Sequence, residues 1–196
     1  MDFSYQENYI FEDDIVRLRP LEVNDLDYLL EYSLNEPDIW SFNARGPIGE
    51  ENLKAYIEEA IKQRQNRKEY PFIVYDKRNN KYCGSTRFYD IKLENKTMLL
   101  GYTWYGKKFQ GTGINKHCKF LLLDFAFSKM NMERVEFRAN SKNERSLNAM
   151  KSIGCTVEGV LRNIAFGAQG ERINATVLSI LKTEWDEKSK DMLRTK

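Results

Sequence analysis

Apolar and polar residues alternate from Ile15 to Pro20, with Val16, Leu18 and Pro20 on one side and Ile15, Arg17 and Arg19 on the other. That period of two predicts a half-buried strand ending at the proline. The period then lengthens. Leu26, Leu29, Leu30 and Leu34 make one stripe, which predicts a helix with Asn24 as its N-cap, Asp27 three residues on, and a stop at Asn35-Glu36-Pro37. A second amphipathic helix is predicted from Glu50 to Gln65, where Leu53, Ile57, Ala60 and Ile61 share a side. The charged run KQRQNRKE at its end reads as a solvated face. Between the helices, WSFNARG is rich in turn residues, carries an aromatic anchor and reads as a candidate substrate loop.

Three strand-like runs follow, Tyr70 to Tyr75, Tyr82 to Asp90 and Thr97 to Tyr105, with Arg78-Asn79-Asn80 turning the chain between the first two. They predict an antiparallel meander. After Gly113 the residues Ile114, Cys118, Leu121, Leu122 and Phe125 form a stripe that Phe120, Leu123 and Phe127 widen, so this helix packs on a sheet. Then come a strand from Arg134 to Ala139, a short helix from Glu144 to Ser152 closed by Gly154, strands near Thr156 to Leu161 and Ala175 to Leu181, and a charged, fraying helix from Trp185. The order β-α-α-β-β-β-α-β-α-β-β contains no repeat or linker and predicts an α+β fold, a mixed seven-stranded sheet flanked by helices.

A chain of 196 residues suits one domain, here residues 1–196, with a polar lead over 1–12 and a charged tail over 186–196. The net charge of +2 gives no broad field for nucleic acid or membrane, and KQRQNRKE lacks the interleaved aromatics of single-strand readers. Cys83, Cys118 and Cys155 are odd in number, lack metal-ligand spacing and sit in or beside apolar segments, which predicts buried free thiols and no metal. The lead MDFSYQENYIFEDD has no apolar signal core, and no later stretch is long enough to cross a bilayer, so a cytoplasmic location is expected.

The stretch with most chemistry in it is FQGTGINKHCKFLLLDFAF, Phe109 to Phe127, where a glycine turn runs into the apolar helix. Gly111 and Gly113 permit backbone N–H groups to close around a phosphate, and the helix that begins near Ile114 adds its unpaired first-turn donors. Lys107, Lys108, Lys116 and Lys119 lie in the same stretch, where cations oppose the helix dipole unless an anion binds. An ordinary strand-to-helix turn with solvated lysines is the alternative.

The element order and the segments GSTRFYDI, GYTWYGKKFQGTGINKHCKFLLLDFAF, RVEFRANSKNERSLNAMKSIGCTVEGVLR and VLSILKTEW together resemble the GNAT superfamily of acyl-CoA-dependent N-acyltransferases, in the branch that contains ribosomal-protein N-terminal acetyltransferases. The resemblance implies a mostly antiparallel sheet splayed between its fourth and fifth strands. It places the R/Q-x-x-G-x-G/A signature on Gln110, Gly113 and Asn115, the last a departure that resembles a T-G-x-N variant. It implies a pyrophosphate cradle from the amides of Gly111, Thr112, Gly113, Ile114 and Asn115. It further implies that backbone groups of Thr103, Trp104 and Tyr105 pair with pantetheine as an added strand. Asn143 and Ser146 match the family's N-x-x-S near the thiol, and Asn143 also reads as a plain N-cap.

The chemistry that the resemblance implies is direct transfer from acetyl-CoA, as co-substrate, to an amine. Several usual acid-base groups are replaced: Met150 stands for a tyrosine acid, Leu99 for a glutamate and Ala165 for an acidic base. Ser146 and Tyr102 remain as candidate catalytic residues, with Glu158 and Asp90 weaker and His117 more a surface or phosphate-side residue than a base. An α-amine is roughly two orders of magnitude richer in neutral form at neutral pH than a lysine amine, so a site without a strong base suits a peptide N-terminus or a small amine. A polyamine or aminoglycoside acceptor would use the carboxylates Glu36, Asp38, Glu50 and Glu51. A non-catalytic CoA-binding sensor or scaffold is the other reading, and either a monomer or a homodimer is compatible.

Overall fold

Strand pairing in the computed structural model, which describes residues 3–42, 46–167 and 169–194, follows the predicted order with one addition. The strands are β1 (Phe11–Glu12), β2 (Val16–Pro20), β3 (Glu69–Asp76), β4 (Lys81–Lys92), β5 (Thr97–Tyr105), β6 (Arg134–Asn140), β7 (Thr156–Phe166) and β8 (Arg172–Leu181). They form one sheet in the order β1-β2-β3-β4-β5-β6-β8-β7, antiparallel except for β5 against β6. Eight strands rather than seven are therefore present among the described residues.

The extra strand lies in the predicted polar lead. Asp13 Oδ1 accepts from the N–H groups of Ile15 and Val16, both at 2.8 Å, and this turn folds Phe11–Glu12 back onto β2. The lead is also packed: Phe3, Tyr9 and Phe11 form a ring cluster with Tyr70 and Phe125. Arg64, expected on a solvated face, instead donates to the carbonyls of Tyr5 and Glu7 at 2.8 Å and lies over the Tyr70 ring.

Among the described residues, four helices of at least eight residues flank the sheet: α1 (Leu26–Asn35), α2 (Glu50–Gln65), α3 (Ile114–Asp124) and α4 (Glu144–Lys151). A 3-10 turn over Val23–Asp25 precedes α1, and Asp25 organises it in place of Asn24, accepting from the Glu22 N–H at 2.8 Å and from both Nη atoms of Arg19. Tyr56 of α2 stacks on Arg87 of β4, whereas Lys119 of α3 reaches Thr103, which bonds Thr86. Residues 86 and 87 point to opposite sides of the strand, so α2 and α3 cover opposite faces.

The C-terminal helical pieces Lys182–Glu184, Trp185–Ser189 and Lys190–Arg194 are docked rather than frayed. Trp185 is fully buried and stacks on Phe127, and Lys190 pairs with Asp124 at 2.6 Å. All three cysteines are buried free thiols, as expected. Among the described residues no helix is long and apolar enough to cross a membrane. Trp40, from the predicted substrate loop, is buried against Trp104, and Asn43, Ala44 and Arg45 of that loop lie outside the described residues.

Candidate functional site

Strands β5 and β6 meet over three residue pairs only, Thr97 with Arg134, Met98 with Val135 and Leu99 with Glu136. Beyond Leu99, β5 pairs with β4 alone, and β6 turns to β8. The sheet is splayed where the resemblance placed the gap. One edge of β5 from Gly101 to Tyr105 therefore faces the gap without a neighbouring strand, about 13 Å of extended backbone. Such an edge accepts another extended polar chain.

A bulge shapes the same strand. Ser85 pairs with Trp104 and Arg87 with Gly101, so Tyr102 and Thr103 together oppose Thr86. Tyr102 takes a positive φ of 50°, a left-handed conformation that costs a non-glycine residue about 1 kcal/mol. The Arg87 guanidinium packs 4.3 Å from the Tyr102 ring and 4.7 Å from that of Tyr56, while its Nη1 donates to Glu69 at 2.6 Å. These contacts hold the strained residue, whose side chain remains 52% exposed. Burial of the phenol, and Glu69 beside it, push its pKa up, so Tyr102 stays protonated near neutrality and is a donor rather than a base.

At the far end of β5 the chain enters the glycine turn. Gly111 and Gly113 have φ of 73° and 90°, which rotate successive amides to one side. The N–H groups of Gly111, Thr112, Gly113, Ile114 and Asn115 have no protein acceptor among the described residues. The first amides to bond inside α3 are those of Lys116 and His117, both to the Gly113 carbonyl. Thr112 Oγ1 donates to the Phe109 carbonyl at 2.7 Å and fixes the turn. Gln110 Nε2 donates to the Tyr105 carbonyl at 2.8 Å, and its Oε1 accepts from Arg145. Tyr105 and Ile114 are buried, and the Tyr105 hydroxyl reaches Asn115 Oδ1 at 3.4 Å, so the strand end and helix start form one rigid corner. Trp104 turns its indole into the core, and its backbone lies opposite Ser85 of β4.

Of the four lysines expected around this turn, two behave differently. Lys107 pairs with Asp38 at 3.0 Å while its N–H bonds Glu36, so two of the four carboxylates of the suggested cationic-acceptor pocket are engaged. Lys119 is buried beneath the sheet, far from a solvated role. Two arginines take their place: Arg78 Nη1 donates to the Thr112 carbonyl at 3.3 Å, and Arg145 holds Gln110. Sequence reading placed Arg78 in a turn and passed over Arg145, although its position two residues past Asn143 was a usable signal.

Asn143 caps α4, its Oδ1 accepting from the Ser146 N–H at 3.1 Å. Ser146 is half-buried, and its Oγ has no protein partner among the described residues. The remaining acid-base candidates have partners of their own. Glu158 is gripped by both Nη atoms of Arg134 and accepts from Ser179 Oγ at 2.7 Å, which hold its carboxyl down to about 2. A carboxylate so stabilised is a poor base. Asp90 is an exposed partner of Lys92 at 3.2 Å. His117 bonds Asp13 at 2.7 Å and thereby ties α3 to the β1–β2 turn.

The sequence profile described as the Acetyltransferase (GNAT) domain matches residues 16–156. The uncharacterized N-acetyltransferase p20 of Bacillus licheniformis is 25% identical over 173 residues, 86% of this chain and 93% of that protein. YdaF of Bacillus subtilis strain 168, whose name provisionally assigns it ribosomal N-acetyltransfer, is 29% identical over 114 residues, 58% of this chain and 60% of its own. A crystal structure from T. thermophilus, provisionally named an acetyltransferase, superposes with a TM-score of 0.84 at 31% identity over 94% of each chain.

Proposed function

The chain belongs to the GNAT acetyltransferase family, and from that premise we propose that it transfers an acetyl group from acetyl-CoA to a primary amine, an α-amine by preference, in a ternary complex. The observation that carries the reading is the run of five amides, Gly111 to Asn115, without protein acceptors, continuous with the unpaired edge of β5. An anion seated there satisfies donors that otherwise point at solvent. Arg78 and Arg145 flank the turn and add positive charge for a diphosphate.

The thioester supplies an activated acyl carbon, and the protein's part is placement. Amides 111 to 115 hold the diphosphate end. Backbone groups of Thr103, Trp104 and Tyr105 align the extended arm, and Asn143 sets the start of α4 so that Ser146 Oγ can donate at the gap. Tyr102, protonated and exposed at the bulge, relays the proton lost by the acceptor nitrogen to water. With Glu158 locked by Arg134, this relay includes no strong base, which favours an acceptor that is already neutral in part. A peptide N-terminus or small α-amine meets that condition better than a lysine side chain.

Calorimetry with CoA and acetyl-CoA, followed by a thiol-release assay with matched α-amine and ε-amine acceptors between pH 7 and 9, tests the reading. Binding with faster release for the α-amine is expected. No heat with either form of CoA overturns the proposal, and binding without release for any amine turns it into the non-catalytic sensor.

A further inference from the structure

Lys119 is the one buried lysine among the described residues, only 4% exposed. Its Nζ makes a single hydrogen bond, to Thr103 Oγ1 at 3.1 Å, and lies 5.4 Å from the centre of the Phe137 ring. Thr103 belongs to β5 and Phe137 to β6, so this nitrogen sits beneath the gap and touches both strands that form it. No carboxylate pairs with it among the described residues. The titratable groups that face it are the thiols of Cys118, on its own helix, and Cys155, after α4, and burial pushes both up to about 12, so they are neutral. Thr103 itself is bonded to Thr86 Oγ1 at 2.7 Å and offers nothing further.

An ammonium has three donors, and two of these are left without a protein acceptor at a depth where an unmatched charge is strongly disfavoured. Burial holds Lys119 down to about 8, yet at neutral pH most of the population is still cationic. A fold that needed only bulk here would use leucine or methionine. The cradle lies at the Tyr105 end of the unpaired edge and the bulge at the Gly101 end, so a chain anchored by its diphosphate brings its thiol end toward Tyr102 and Thr103.

We propose that Lys119 is a catalytic residue whose ammonium pairs with the sulfur of the departing CoA. This rests on the proposed function. The acceptor nitrogen forms the C–N bond as the C–S bond breaks, and the electron pair goes to sulfur. The ammonium of Lys119 keeps its proton and pairs with the thiolate that forms there. The new amide nitrogen loses its extra proton to water, and the thiolate takes one up from water as CoA leaves. The assignment gives the departing sulfur a cationic partner, which buried Met150 of α4 cannot be.

The test compares wild-type protein with Lys119→Met, with circular dichroism as the fold control, using CoA and acetyl-CoA as probes. Calorimetry across pH 6.5 to 9.5 and thiolate absorbance of bound CoA give the thiol's pKa in the complex, and turnover is measured alongside. In wild-type protein the bound thiol should titrate at least about one unit below its ordinary ~8.5, and in Lys119→Met it should not. Turnover of the variant should fall roughly 100-fold, while its acetyl-CoA affinity, which involves no anionic sulfur, changes little. A purely structural lysine would leave the thiol titration where it is in both proteins. Equal thiol titrations overturn this inference and leave acetyl transfer standing. Failure of wild-type protein to bind CoA overturns the proposed function and this inference together.

Discussion

Replacing Lys119 with methionine should make the protein more stable at neutral pH, and the gain should vanish in alkali. Burial lowers the lysine from its ordinary 10.5 to about 8, a gap equivalent to about 3 kcal/mol. The sign follows from proton counting. Between those two values the unfolded chain binds the proton and the folded chain does not, so stability rises with pH through that window, and below about 8 the full penalty is present. Methionine removes the penalty but also the bond to Thr103, worth about 1 kcal/mol, for a net gain of about 2 kcal/mol at pH 7. For a chain of this length that corresponds to a Tm rise of about 4–8 °C. Above pH 10.5 both folded and unfolded lysines are neutral, and the variant should be the less stable by the lost bond. Buried tyrosines such as Tyr89, raised by desolvation, also titrate in alkali, but they do so in both proteins, and the difference between variant and wild type cancels them. Urea unfolding of the two proteins at pH 6.5, 7.5, 8.5, 9.5 and 10.5 measures that difference. A variant less stable than wild type at pH 7, or a difference that does not change with pH, would refute the account of Lys119 as an uncompensated buried cation.

Gly113→Ala should weaken CoA binding about 5- to 30-fold: a Cβ there meets open space, so the cost is the backbone strain of φ 90° at about 1–2 kcal/mol, and Gly159→Ala, equally open without positive φ, should bind CoA normally. Arg78→Ala and Arg145→Ala should each cost about 1 kcal/mol of CoA affinity, roughly fivefold, and calorimetry in high salt should erase most of the difference. Glu158 is held down to about 2, so its contribution is present above its ordinary 4.5 and lost as pH falls toward 2. Because its side chain is 38% exposed, solvent screening leaves about 1 kcal/mol, and the stability gap between wild type and Arg134→Ala should close over that window in acid unfolding curves.

What was legible in the chain was what repeats. Alternation marked β2, strand-like apolar runs marked β3 to β8, period-3.6 stripes marked α1 to α3, and glycine before an apolar helix marked the cradle, because each leaves several residues that agree with one another. Phe11–Glu12 is too short to show a period, and its pairing depends on one side chain, Asp13, closing a turn. The aromatic residues of the lead were visible, but Phe3, Tyr9 and Phe11 find Tyr70 and Phe125 only after the meander and α3 are assembled. Nothing local could announce that contact. Lys119 was misread for a related reason. Counted along the sequence it joins Lys107, Lys108 and Lys116 around the turn. On the helix it stands five residues past Ile114, one apolar position round from Cys118 and Leu122, and so falls on the side that faces the sheet. A lysine inside an apolar stripe contradicts the pattern around it, and such contradictions concentrate where folding alone did not choose the residue. Tyr102 is the second case, a bulky side chain in a left-handed conformation held by Arg87. Both departures border the unpaired edge of β5, one on each face of the sheet. Two unfavourable choices on either side of one gap are hard to attribute to packing, and under the proposed function they put the chemistry at the bulge and leave the cradle to bring a ligand there.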